Sequence, residues 1–140
     1  MDRRFAVDNV DVIQVRASIG GSEPHLQYNV TYEPKSRPSE LGSFYPVVAS
    51  LHAADEDGWG DVSIGAFLLP LGEVPDGIPL SEVLADDAAI ETLYDIARTH
   101  LRHVLATVGC LTQLPKQAPE AEFSEQDGVV QETEPDEPTS

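Results

Sequence analysis

Basic residues are scarce in this chain. Eight Lys and Arg stand against 25 Asp and Glu, a formal net charge of -17. That is the wrong sign for a phosphate backbone, so no nucleic-acid partner is expected. Cysteine occurs once, at Cys110, which leaves no internal disulfide. With no charged-then-apolar leader at the start, the expected compartment is the cytoplasm. No apolar run approaches the roughly 20 residues that span a bilayer, so no membrane insertion is expected. A phosphate-cradling Gly loop and a dinucleotide fingerprint are both missing, since Gly20 and Gly21 open a turn with no helix behind it. Ser18, Ser22, Ser50 and Ser63 lack a G-x-S-x-G elbow, and Cys110 has no evident base, so no catalytic residue is assigned and the protein is not read as an enzyme. His100 and His103, with Cys110 beyond them, do not make a recognised zinc spacing; no metal and no cofactor are expected.

What the sequence does contain is one long amphipathic segment, Asp86 to Gly109. Ile90, Leu93, Tyr94, Ala97, Leu101, Val104, Leu105 and Val108 recur at helical spacing, with Glu91, Asp95, Arg98 and Arg102 between them. Asp86 or Asp87 caps the start and Gly109 supplies the stop. Such a helix is roughly 30 Å long and needs something flat to lie on. Four alternating segments precede it. Val10 to Ile19 is read as a strand with a bulge near Val12 and Ile13, because the alternation changes phase there. Phe5 and Val7 suggest a short leading strand. Leu26, Tyr28, Val30 and Tyr32 alternate strictly; Tyr45, Val47, Ala49, Leu51 and Ala53 share a face. Asp55 to Gly58 makes a sharp turn into Trp59 to Leu69, whose inward set is Val62, Ile64, Ala66 and Leu68. Gly60 and Gly65 mark a bend or a close neighbour. Pro34 to Gly42 reads as an irregular crossing connection and Pro70 to Leu84 as a loop with apolar content, in which Ser81 to Asp86 adds a helical turn.

The predicted fold class is α+β, a four-stranded antiparallel sheet covered by a long C-terminal helix. Residues 1–119 form the domain. Residues 120–140, with eight acids and no base, form an acidic disordered tail. Four strands make a face roughly 19 Å wide and one helix covers only about 10 to 12 Å of it, so half of the apolar face is left for the Pro70 to Leu84 loop, another subunit or an apolar ligand.

This order of elements resembles the SecB family of protein-export chaperones. LYDIAR, Leu93 to Arg98, is similar to the family's apolar pair, spacer and Ala-Arg inside the helix. Gly109, LTQLP at Leu111 to Pro115, and Phe123 are similar to the segment that follows that helix, and Gly65, Ala66 and Phe67 to the small-then-aromatic step of the last strand. Asp95 stands where the family usually carries Pro, and the crossing connection is short and polar. The chain looks like a divergent relative. The resemblance implies a homotetramer that works as an ATP-independent holdase. Its partners would be unfolded preproteins, with the translocation motor SecA, or an aggregation-prone antitoxin in a toxin–antitoxin system. It also implies a client groove beside the helix lined by Leu69, Leu71, Ile78, Leu80, Leu111 and Leu114, with Tyr28, Tyr32 and Tyr45 as aromatic contributors. The competing reading is that all nine are plain core residues, and for the three tyrosines and Leu69 it is the preferred one. The alternative from another class is a small-ligand-binding or enzymatic α+β domain with an apolar pocket.

Overall fold

A computed structural model of the chain describes residues 3–40 and 42–126. Strands β1 (Phe5–Ile19), β2 (His25–Tyr32), β3 (Arg37–Ser39), β4 (Gly42–Ala54) and β5 (Gly58–Pro70) come first. Helices α1 (Leu80–Ala85) and α2 (Ala88–Thr107) follow, then β6 (Glu122–Glu125). The sheet runs in the order β1-β5-β4-β2-β6, with β3 paired to β4 off that path. One face of the sheet carries α2; among the described residues the other is open.

The four long strands are antiparallel, as their alternation predicts. Two shorter strands correct the four-stranded expectation. Pro34 to Gly42 is more regular than its prolines suggest, because Arg37–Ser39 turns back onto Gly42–Phe44. The expectation of no secondary structure from Glu120 onward fails at Glu122–Glu125, which pairs with Asn29–Tyr32 in parallel. Local composition is acidic there, but β2 offers an unpaired edge and Tyr32 packs edge-on against Phe123, with ring centroids 6.4 Å apart. Tertiary pairing overrides a poor local propensity. Residues 127–140 of the expected tail lie outside the described residues.

The bulge expected in β1 is present. Register shifts occur between Asp8 and Asp11 and between Val12 and Gln14, and Asn9 takes a positive φ of 52°. The extra residue puts Ile13 over Gly65, where an added Cβ would sit 2.8 Å from Ile13 Cδ1. Gly65 is therefore the site of a close neighbour, as is Gly60, whose Cβ would meet Leu101 and Leu105 at 2.9 Å. At the Asp55 to Gly58 turn the Asp55 carboxylate accepts from the amides of Asp57 and Gly58 at 2.7 and 3.3 Å. These bonds hold its pKa below the usual value and close an Asx-type turn.

Helix α2 begins at Asp87, which is 1% exposed. Its carboxylate accepts from the amide of Ala89 at 2.8 Å and from that of Arg4 at 2.6 Å. One side chain thus caps the helix and ties the start of β1 to it. The apolar stripe of α2 lies over β5 and β1 and, to a smaller extent, β4, and buries Ile90, Leu93, Tyr94, Ala97, Leu101 and Leu105. Val83 and Leu84 of α1 join the same core.

The part of the face over β2 is not left open. After Gly109, at φ 77°, the chain turns back along α2. Tyr94 donates its hydroxyl to the Pro115 carbonyl at 2.6 Å, Arg98 Nε donates to the Leu114 carbonyl at 3.3 Å, and Ala118 N–H donates to Glu91 at 2.9 Å. Leu114, Ala118, Ala121 and Phe123 pack against the core along this return. The expected leftover face is filled in two ways: Val74, Leu80, Val83 and Leu84 of the Pro70 to Leu84 segment pack against the core, as one of the expected covers, and residues 110–123 cover the part over β2, which area arithmetic with a single helix does not foresee.

Candidate functional site

Large apolar side chains reach solvent mainly along β1. Val10, Val12, Ile13, Val15 and Ile19 are 38, 43, 57, 45 and 73% exposed. Val12, Val15 and Ile19 stand opposite Ile64, Val62 and Gly58, so they share the helix-bearing face but lie beyond the cover of α2. Among the described residues β1 pairs with β5 alone, leaving the far edge of this strand without a neighbour. An exposed apolar edge strand of this length is a template for another chain.

The nine candidate groove residues do not line one groove. Tyr28 and Tyr32 are 1% and 3% exposed. Tyr28 donates its hydroxyl to the Ile90 carbonyl at 2.7 Å and packs edge-on with Tyr94. Burial drives its pKa well above the ordinary phenol value. Leu114 is 7% exposed, and Leu69, Leu80 and Tyr45 are half-buried. Leu71, Ile78 and Leu111 are exposed, at 58, 47 and 79%. Leu71 N–H donates to Arg4 O, beside the start of α2, whereas Leu111 lies just past its end. A helix of this length separates them by about 30 Å.

At the Leu111 end a cleft of about 560 Å³ runs between the C-terminal half of α2 and the returning chain. Arg98, Arg102 and His103 line it with Leu105, Leu111 and Gln113. Cys110 sits at its floor, buried, and its thiol donates to Asp55 Oδ1 at 3.3 Å. Burial pushes the thiol pKa up, which keeps it protonated and a poor nucleophile. His100 and His103 are exposed, and among the described residues no group of three or more His, Cys, Asp or Glu gathers.

The open face of the sheet carries a polar array that the sequence reading did not single out. Arg16, Asp61 and His52 stand side by side on β1, β5 and β4. Arg16 bonds Asp61 at 2.6 Å, and His52 also bonds Asp61. His25 stacks on His52 at 4.8 Å, and the Arg16 guanidinium lies 5.7 Å over the Trp59 ring.

No family model matches the chain, and no curated protein matches it. A solved structure of similar shape is the Mycobacterium tuberculosis SecB-like chaperone Rv1957, in complex with a ChAD peptide from the Rv1956 HigA1 antitoxin. The identity is 15% over 80% of this chain and 90% of that one, with a TM-score of 0.48. A match at that level speaks to neither the ligand nor the activity of this chain.

The β1 residues were absent from the sequence-derived candidates, although a signal was present. Val10, Val12, Ile13, Val15, Ala17 and Ile19 supply apolar side chains to both phases of the strand, more than one covered face can use. No helix among the described residues is long and apolar enough to cross a membrane.

Proposed function

We propose that this chain is an ATP-independent holdase that binds non-native polypeptide. The observation that carries the reading is the apolar edge of β1, unpaired among the described residues, with Val12, Ile13, Val15 and Ile19 exposed. Apolar contact is non-directional, and a strand edge pairs with backbone of any sequence, so together they suit clients recognised by being unfolded rather than by a motif. A folded client hides those same groups, so affinity differs between its two states and no covalent step is needed. Leu71, Ile78 and Leu111 are separate exposed client contacts, Leu71 and Leu111 at opposite ends of α2; Leu69, Leu80, Leu114 and Tyr45 support them from half-buried or buried positions, and Tyr28 and Tyr32 hold the sheet beneath.

The chain works as a homo-oligomer, a tetramer, in which part of the β1 edge meets a second copy. It serves in the cytoplasm, on unfolded preproteins with SecA as the onward partner or on an antitoxin. The test is light scattering of a denatured model protein diluted into buffer with and without this chain, with the mass of the chain measured in the same run. Near-stoichiometric suppression without nucleotide by an oligomer is the expected result. A compact monomer that suppresses nothing overturns the reading and turns attention to a small ligand.

A further inference from the structure

The cleft beside Leu111 is the exception in an acidic molecule. Among the described residues its lining contains Arg98, Arg102 and His103 and no Asp or Glu, in a chain where acids outnumber bases 25 to 8. Arg102 is exposed. Arg98 spends its Nε on the Leu114 carbonyl. Among the described residues neither guanidinium has a carboxylate partner, although Arg16 and Arg37 both do. Thr99, Thr112 and Gln113 add hydrogen-bonding groups, and Leu111, 79% exposed, overhangs one side.

Spacing defines what fits. Arg98 and Arg102 are four apart on a helix, which puts their Cβ atoms about 5 to 6 Å apart on one face. Alternate residues of an extended peptide point the same way at about 7 Å. From Arg98 to Ala106 the cleft runs about 12 Å along the helix, the length of about four extended residues. We infer that this cleft binds an extended acidic peptide segment, a Glu-x-Glu pair meeting Arg98 and Arg102 with an adjacent apolar side chain against Leu111. The inference rests on the holdase reading in that it assigns a client class to the Leu111 and Leu114 surface. The overall negative charge does not forbid it, since beyond a Debye length of about 8 Å at physiological salt the remaining acids are largely screened.

The test is fluorescence anisotropy with three short labelled peptides, identical except for Glu-x-Glu, Gln-x-Gln or Lys-x-Lys beside a Leu. Each is titrated with the full chain and with its Arg102→Glu variant, whose exposed position leaves folding intact. The acidic peptide binds the natural chain roughly tenfold or more tighter than the Gln peptide, as charge-assisted bonds require. Arg102→Glu removes that advantage and raises affinity for the Lys peptide. Equal binding of the Glu and Gln peptides, or no effect of Arg102→Glu, overturns the inference. If aggregation suppression survives in either of those cases, the holdase reading stands without an acidic preference. Charge-selective binding with no suppression means the opposite: the peptide cleft stands and the holdase reading falls.

Discussion

On one side of the sheet β2 hands its outer edge to β6, and Phe123 closes over Tyr32. On the other side β1 ends the sheet with nothing beyond it among the described residues, and its apolar side chains stay wet. The two edges were open to the same solution: a short strand, a charge, or a returning segment. The C-terminal return goes to one edge, and among the described residues the other, longer and more apolar, has no cover. Under the holdase reading proposed above, that difference makes β1 the edge to test.

The largest expected effect comes from blunting β1 itself. Val15→Lys with Ile19→Lys places two charges on the open edge; the oligomer mass falls to that of a single chain while the unfolding free energy of that chain moves by less than about 0.5 kcal/mol, as exposed positions allow. An unchanged mass in light scattering would mean that copies meet elsewhere.

Next in size is the tie between β1 and the helix. Asp87→Ala removes a cap and leaves two donors, at Arg4 and Ala89, without their acceptor; a loss of about 3 kcal/mol is expected in urea unfolding. Asp87→Asn, which keeps an acceptor oxygen, loses less.

Opening the closed edge is milder. Phe123→Ala costs about 1 to 2 kcal/mol for a half-buried ring, and amide exchange in β2 from Asn29 to Tyr32 accelerates as β6 frays. If the two edges differ only because of β6, this variant also gains self-association.

The smallest effect at neutral pH is Tyr28→Phe, about 1 kcal/mol for the lost bond to Ile90. Its signature lies in base. Burial raises the folded-state pKa of Tyr28 above its unfolded value of 10.0, so its contribution is whole below pH 10 and is lost as pH rises further, by about 1.4 kcal/mol per unit. The Phe variant should show a shallower decline in stability above pH 10 by circular dichroism.

The parts of this molecule that were legible in the sequence are those where one physical rule acts alone. The α2 stripe, the inward set of β5 and the phase change at Val12 and Ile13 are periodicities, and each lands where the pattern puts it. What was not legible depends on long-range company. Glu122–Glu125 becomes a strand only because β2 needs a neighbour, and Leu114 becomes core only because Tyr94 and Arg98 hold the return segment down. For the same reason the expected groove residues scatter: a Leu in a loop carries no mark of which end of a helix it will occupy. The cationic cleft joins positions four apart on α2 to a segment beyond the helix end, a pairing visible only once the chain has turned back.

The strand order carries one more consequence, for the newborn chain. β4 and β5 are joined by a tight turn and can pair as soon as both leave the ribosome. β1, made first, has its only partner strand among the described residues at Gly58–Pro70, and its anchor at Arg4 waits for Asp87, 83 residues later. Loop closure over such separations is slow relative to hairpin formation. During synthesis β1 therefore waits as an unpaired apolar strand until β5 has been made, the condition in which a chain is most open to misassembly.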